Sequence, residues 1–184
     1  VVERLEMWVE RRLELAVRLD HDLDRVCDGL LEGRRPRNLT ASFDASDSHR
    51  RGQAAVILSS DAGRFVYKPR PPAMDTLFDT LRDLAGEASC APRLHSAALV
   101  PGDGYFWQEF IAGAEVTDAS APHVARGLGA LTALLHCLRA NDFHHENVVL
   151  SADGPVPIDL ESVLHTSQDY RVVNDAANSN AGAV

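Results

Sequence analysis

Between residues 3 and 32 apolar positions recur at helical spacing, with Leu5, Trp8, Val9, Leu13, Leu15, Val17, Leu19, Leu23, Val26 and Leu30 set among charges. This pattern predicts one or two amphipathic helices, ended by Gly33 and Pro36, that pack on the body or on a partner. Residues 39–51 read as a polar loop. Residues 54–58 and 64–67 then form two short β-type runs around the Ser-Ser-Asp-Ala-Gly turn, and Pro69, Pro71 and Pro72 end the second, which leaves Lys68 at a strand terminus. Residues 74–86 place Leu77, Phe78, Leu81 and Leu84 on one helical face. A second β pair, 97–100 and 105–111, flanks Pro-Gly-Asp-Gly and runs into Ala112-Gly113-Ala114, a hinge whose backbone is free to meet an adenine edge. Residues 121–140 form a long helix that buries Leu128, Leu131, Leu135 and Leu138. Beyond it, Val148-Val149-Leu150 and a second apolar step close a hairpin about Ser-Ala-Asp-Gly-Pro, and after Leu164 the pattern fades into polar residues. The fold class is α+β with an antiparallel sheet, and no internal repeat is visible.

Residues 138–164 carry the richest chemistry. Two paired strands bring Asn147 and Asp159 together, and an amide oxygen beside a carboxylate is a hard donor set suited to Mg²⁺ carrying phosphates. Asp142 and Asn147 have the D-x-x-x-x-N spacing of the protein-kinase catalytic loop. Asp and Asn also populate turns for their own sake, so any one of them alone signifies little. His145-Glu146 is followed by Val149 where H-E-x-x-H needs its second His, which excludes a zinc protease. His95, His123, His136 and His165 show no ligand spacing, and Trp8, Phe106 and Trp107 read as core.

Composition changes that picture in three ways. Of 18 basic residues 17 are Arg, and the single Lys, Lys68, stands in V-Y-K-P-R, where a compact ammonium suits nucleotide phosphates better than a broad guanidinium. From Asn141 onward seven acids face one base, Arg171, a segment that favours a divalent cation. The formal charge of -9 argues against general nucleic-acid binding. No apolar run approaches the ~18 residues of a membrane span and the first residues lack a secretory layout, so a cytoplasmic location is expected. Three scattered Cys, Cys27, Cys90 and Cys137, indicate neither a disulfide framework nor a zinc knuckle.

Taken together, S-D-S-H-R-R-G-Q-A-A-V-I-L at 46–58, V-Y-K-P-R at 66–70, W-Q-E-F-I at 107–111, N-D-F-H-H-E-N at 141–147 and I-D-L-E-S at 158–162 resemble the N-terminal dehydratase domain of class II (LanM-type) lanthipeptide synthetases. The resemblance covers roughly residues 40–165. It implies a core like that of protein and lipid kinases: an N-terminal helical segment (1–38), a small lobe (39–114), and the start of a helical large lobe with catalytic loop and metal hairpin (115–184). It further implies ATP- and Mg²⁺-dependent phosphorylation of Ser and Thr in a leader-bearing precursor peptide, followed by phosphate elimination to dehydroalanine or dehydrobutyrine.

Carried over by position, the resemblance makes Lys68 the phosphate-contacting lysine, Asn147 and Asp159 the metal ligands, and Glu161 their support. Asp142, with His144 beside it, would orient or deprotonate the substrate hydroxyl. Asp47 and His49 match the D-x-H pair of the elimination half, where a His near neutral pKa suits proton removal. Arg50 and Arg51 join them as phosphate contacts on charge alone. Ser46 stands where the family usually has Gly, no G-x-G-x-x-G is present, and the family's later elimination residues and zinc cyclase domain have no counterpart in these letters. The expectation is therefore a truncated piece, incomplete for elimination. Two alternatives stand beside it: a kinase-fold phosphotransferase acting on a small molecule or lipid, and an inactive module that binds peptide through residues 3–32.

Overall fold

The computed structural model describes residues 2–43, 54–88, 92–141 and 143–164, with side chains from residue 5 on. The helical periodicity at the start becomes one helix, α1 (Val2–Leu30). Its C-terminus turns through positive φ at Glu32 and Gly33, with the Gly33 N–H donating to the Cys27 carbonyl at 2.8 Å.

Five strands follow in one antiparallel sheet: β1 (Thr40–Ser42), β2 (Val56–Ser60), β3 (Gly63–Lys68), β4 (Leu99–Pro101) and β5 (Phe106–Glu109), in spatial order β1-β2-β3-β5-β4. β1 lies in the stretch that reads as loop. Its Thr-Ala-Ser is exposed throughout and has no apolar alternation, so only backbone pairing with β2, from Thr40↔Ser59 to Ser42↔Ile57, makes it a strand. β3 is central, and its last rung pairs Lys68 with Phe106. Between β3 and β4 comes α2 (Ala73–Ala88). After β5 come α3 (Ala121–Cys137) and a separate hairpin, β6 (Val148–Ser151) with β7 (Gly154–Pro157).

Two apolar cores result. α1 contributes Leu15 and Val26 to the first, and the residue after it Leu31, against Leu58, Phe65, Tyr67, Val100 and Trp107 of the sheet region. Inside this interface Asp22 is fully buried, and it accepts from Tyr105 Oη at 2.7 Å and Trp107 Nε1 at 2.9 Å. The second core joins Phe78 of α2, Leu131, Leu135 and Leu138 at α3, and Leu160 and Val163 after the hairpin.

Several side chains depart from the faces that spacing predicts. Leu84 is 56% exposed because the last turns of α2 pass beyond the second core, and Leu128 is 38% exposed. α3 instead buries Val124, Gly127, Leu131 and Leu135, because β7 approaches it at Gly127, where an added Cβ would lie 2.6 Å from Pro155 Cδ. Trp8, expected in the core, is 53% exposed with the Arg12 guanidinium stacked over it. Its neighbours Leu5, Val9, Leu13 and Val17 leave the outer face of α1 apolar as well. The expected hinge amide at Ala114 is already engaged, donating to the Leu150 carbonyl at 2.7 Å, so it ties the segment to β6.

Candidate functional site

The β6–β7 ladder continues one rung past its strands, where the Ile158 N–H donates to the Asn147 carbonyl at 2.9 Å. Asn147 therefore stands against Ile158, with Asp159 the next residue. A short turn follows, and its Leu160 and Val163 are buried in the second core. Backbone bonds from Asn141 to Ser162 (3.2 Å) and from Leu164 to Leu138 (3.0 Å) hold this segment against the end of α3. The hairpin exit is thus braced on both sides.

Lys68 reaches this exit from the sheet. It is 8% exposed, and its Nζ donates to the carbonyl of Ile158, the residue across from Asn147 and just before Asp159. The ring of Phe106, fully buried, lies 5.7 Å from the ammonium. Burial, then the neighbouring Arg70 charge, pushes the Lys68 pKa down to about 8, against the opposing pull of Asp75, Asp159 and Glu161. No carboxylate among the described residues bonds this ammonium directly.

Sequence reasoning passed over two residues beside it. Arg70 Nη1 meets Asp75 Oδ2 at 2.5 Å, Nη2 meets Asp75 Oδ1 at 3.3 Å, and Nη2 lies 3.6 Å from Asp159 Oδ1. Asp75 is only 2% exposed and sits in the first turn of α2, where the helix dipole favours an anion. The available signal was Arg70 inside V-Y-K-P-R and an acid opening the next helix; nothing local showed that they meet.

The remaining candidates are more open. His144, His145, Glu146 and Glu161 are exposed, and His144 Nδ1 lies 3.7 Å from Glu146 Oε2 and accepts the Glu146 N–H at 3.3 Å. The Glu161 N–H donates to Asp159 Oδ1 at 3.4 Å. Asp47, His49, Arg50, Arg51 and Asp142 lie outside the described residues. Among the described residues no three His, Cys, Asp or Glu side chains gather into a metal cage. Among the described residues Asn147 and Asp159 bring an amide and a carboxylate to the exit, with Glu161 close behind in the chain, a donor set too sparse for a bare ion. It fits Mg²⁺, which keeps waters and phosphate oxygens in its shell.

The family model described as a domain of unknown function, DUF4135, matches residues 1–183. The chain belongs to the DUF4135 family. A relative of this DUF4135 chain is the lacticin 481/lactococcin biosynthesis protein LcnDR2 of Lactococcus lactis subsp. lactis, 22% identical over 139 residues. The match takes in 69% of this chain and 15% of that protein, so the chain spans a small part of its relative's length. The two findings bear out the resemblance to the dehydratase region of LanM-type lanthipeptide synthetases. No helix among the described residues of the DUF4135 chain is long and apolar enough to cross a membrane.

Proposed function

We propose that this DUF4135 chain forms the nucleotide-binding part of a cytoplasmic dehydratase in lanthipeptide biosynthesis, acting on Ser and Thr of a leader-bearing precursor peptide. In this reading the sheet with α2 is a kinase-like small lobe, and α3 with the hairpin begins the large lobe. The observation that supports it most is the burial of the chain's single lysine against the Ile158 carbonyl, on the rung that Asn147 shares. A buried ammonium bonded to one neutral carbonyl lacks a full counter-charge, and a polyphosphate would supply it.

Bound ATP with Mg²⁺ supplies the phosphoryl group and the neutralisation of its charge. Lys68 would hold the phosphates and Asn147 and Asp159 the metal, with the Glu161 backbone N–H orienting Asp159. Asp142, two residues before His144 in the chain, would take the hydroxyl proton as the Ser or Thr oxygen bonds to the γ-phosphorus and ADP leaves. Asp47 and His49 serve the second half, in which the α-proton leaves to a base, the Cβ–O bond breaks with phosphate departing, and a C=C bond forms.

The test is mass spectrometry of a Ser/Thr precursor peptide incubated with the protein, ATP and Mg²⁺. Lys68→Met and Asp159→Asn are each expected to lower the rate of phosphate incorporation by about 100-fold or more. Incorporation that survives both changes sinks the site assignment. Incorporation into small alcohols in preference to the peptide would move the substrate class to small molecules.

A further inference from the structure

We infer that Arg70 is a positioning residue for Asp159, held in place by the buried Asp75; this rests on the nucleotide reading of the site. Asp75 is nearly inaccessible, and a buried carboxylate is tolerated only with a partner that satisfies it. Arg70 provides both fork nitrogens, at 2.5 and 3.3 Å, and keeps Nη2 within 3.6 Å of Asp159 Oδ1.

The guanidinium has little freedom to do otherwise. Its backbone lies between Pro69 and Pro71, each with a fixed φ, and its Cζ stands 5.0 Å from the centroid of the buried Phe106 ring. Asp159, by contrast, is 41% exposed, and Arg70 is its one ion-pair partner among the described residues. Lys68 does not take this role, because its ammonium is bonded to the Ile158 carbonyl.

At 3.6 Å and partly exposed, the Arg70–Asp159 pair restricts the carboxylate without competing strongly for it, so a metal ion arriving on a polyphosphate can take the oxygen already oriented. Because Asp75 belongs to the first turn of α2, the seat of that helix is coupled to the metal-binding carboxylate. Arg70 and Asp75 act through Asp159, not on the reacting atoms.

The experiment is titration of the full chain with ATP in the presence and absence of Mg²⁺, by calorimetry and by thermal shift. The readout is the ratio of the two affinities, which a general loss of folding does not move selectively. Arg70→Gln and Asp75→Asn are each expected to lower that ratio about tenfold, in the range seen when an outer-shell partner of a metal ligand is removed. Arg70→Lys, which keeps the charge but not the fork, is expected to restore only part of it. In an Asp159→Asn background, Arg70→Gln should produce no further loss, because the two changes break one interaction chain.

The inference is overturned if Arg70→Gln and Arg70→Lys both leave the ratio unchanged, or if the losses of Arg70→Gln and Asp159→Asn add in full. Should Asp75→Asn fail to fold, the two Arg70 variants and the double mutant still decide. A chain with no Mg²⁺-dependent gain, or one whose gain survives both Lys68→Met and Asp159→Asn, overturns the nucleotide reading and this inference with it. A gain sensitive to Asp159→Asn but indifferent to Arg70 overturns the inference alone.

Discussion

Asp22 and Lys68 are both ionisable side chains buried at the same five-stranded sheet, yet their surroundings are opposite. Asp22 is enclosed by donors: Tyr105 Oη at 2.7 Å, Trp107 Nε1 at 2.9 Å, Arg25 Nη1 at 2.9 Å and His21 Nδ1 at 3.0 Å. Burial pushes its carboxyl up, but the bonds from Trp107, Tyr105, His21 and Arg25 outweigh this and bring it down to about 2. The Tyr105 hydroxyl, buried and donating to that carboxylate, is pushed up to about 12. Lys68 has a single neutral carbonyl, and burial with the Arg70 charge draws its pKa down to about 8. One shell is complete within the chain and serves to fasten α1 to the sheet. The other is short of negative charge at the mouth of a braced hairpin, as a site for an anionic ligand requires.

The hardest blow to this contrast comes at Asp22. Asp22→Ala removes the acceptor of two buried donors and is expected to cost about 3–5 kcal/mol in urea denaturation. A loss below about 1 kcal/mol would mean that the network does not fasten the helix. Lys68→Met should go the other way in the ligand-free chain, with no loss and up to about 2 kcal/mol of gain, since an apolar side chain replaces a poorly compensated charge. A large destabilisation would show instead that Lys68 belongs to the structural class of Asp22.

The smallest and most diagnostic effect is in pH. Asp22 lies below its unfolded value of 3.8, so its contribution is whole above about pH 4 and is lost as pH falls toward 2. Lys68 also lies below its unfolded value, 10.5, but it is a base. Below about 8 both states carry the proton and the burial penalty is full. Between 8 and 10.5 the unfolded chain binds the proton that the folded chain has released, so stability rises with pH through that window. Thermal unfolding across both windows, with Lys68→Met flattening only the alkaline one, separates the two groups.

Much of this was legible in the letters. The helices, the three hairpins among the described residues and the position of Lys68 at a strand end follow from local periodicity and from turn residues such as Asp153-Gly154, whose Gly154 takes a φ of 119°. The register that sets Asn147 against Ile158, one residue before Asp159, was foreseeable for the same reason, since a turn of known length sets the register of its strands. β1 was not, because an exposed Thr-Ala-Ser becomes a strand only when β2 offers it a backbone edge.

By itself the sequence determined which residues alternate, where the chain turns and that one ammonium stands alone among guanidiniums. These are local properties, written in spacing and side-chain chemistry. Only the tertiary structure decided that Asp22 meets Tyr105 and Trp107 across 83 and 85 residues, that Leu128 faces out while Gly127 admits Pro155, and that Arg70 joins Asp75 to Asp159. Those contacts arise where separate elements pack, and a polar atom's partner depends on which surfaces come together, a quantity that no single stretch of chain contains.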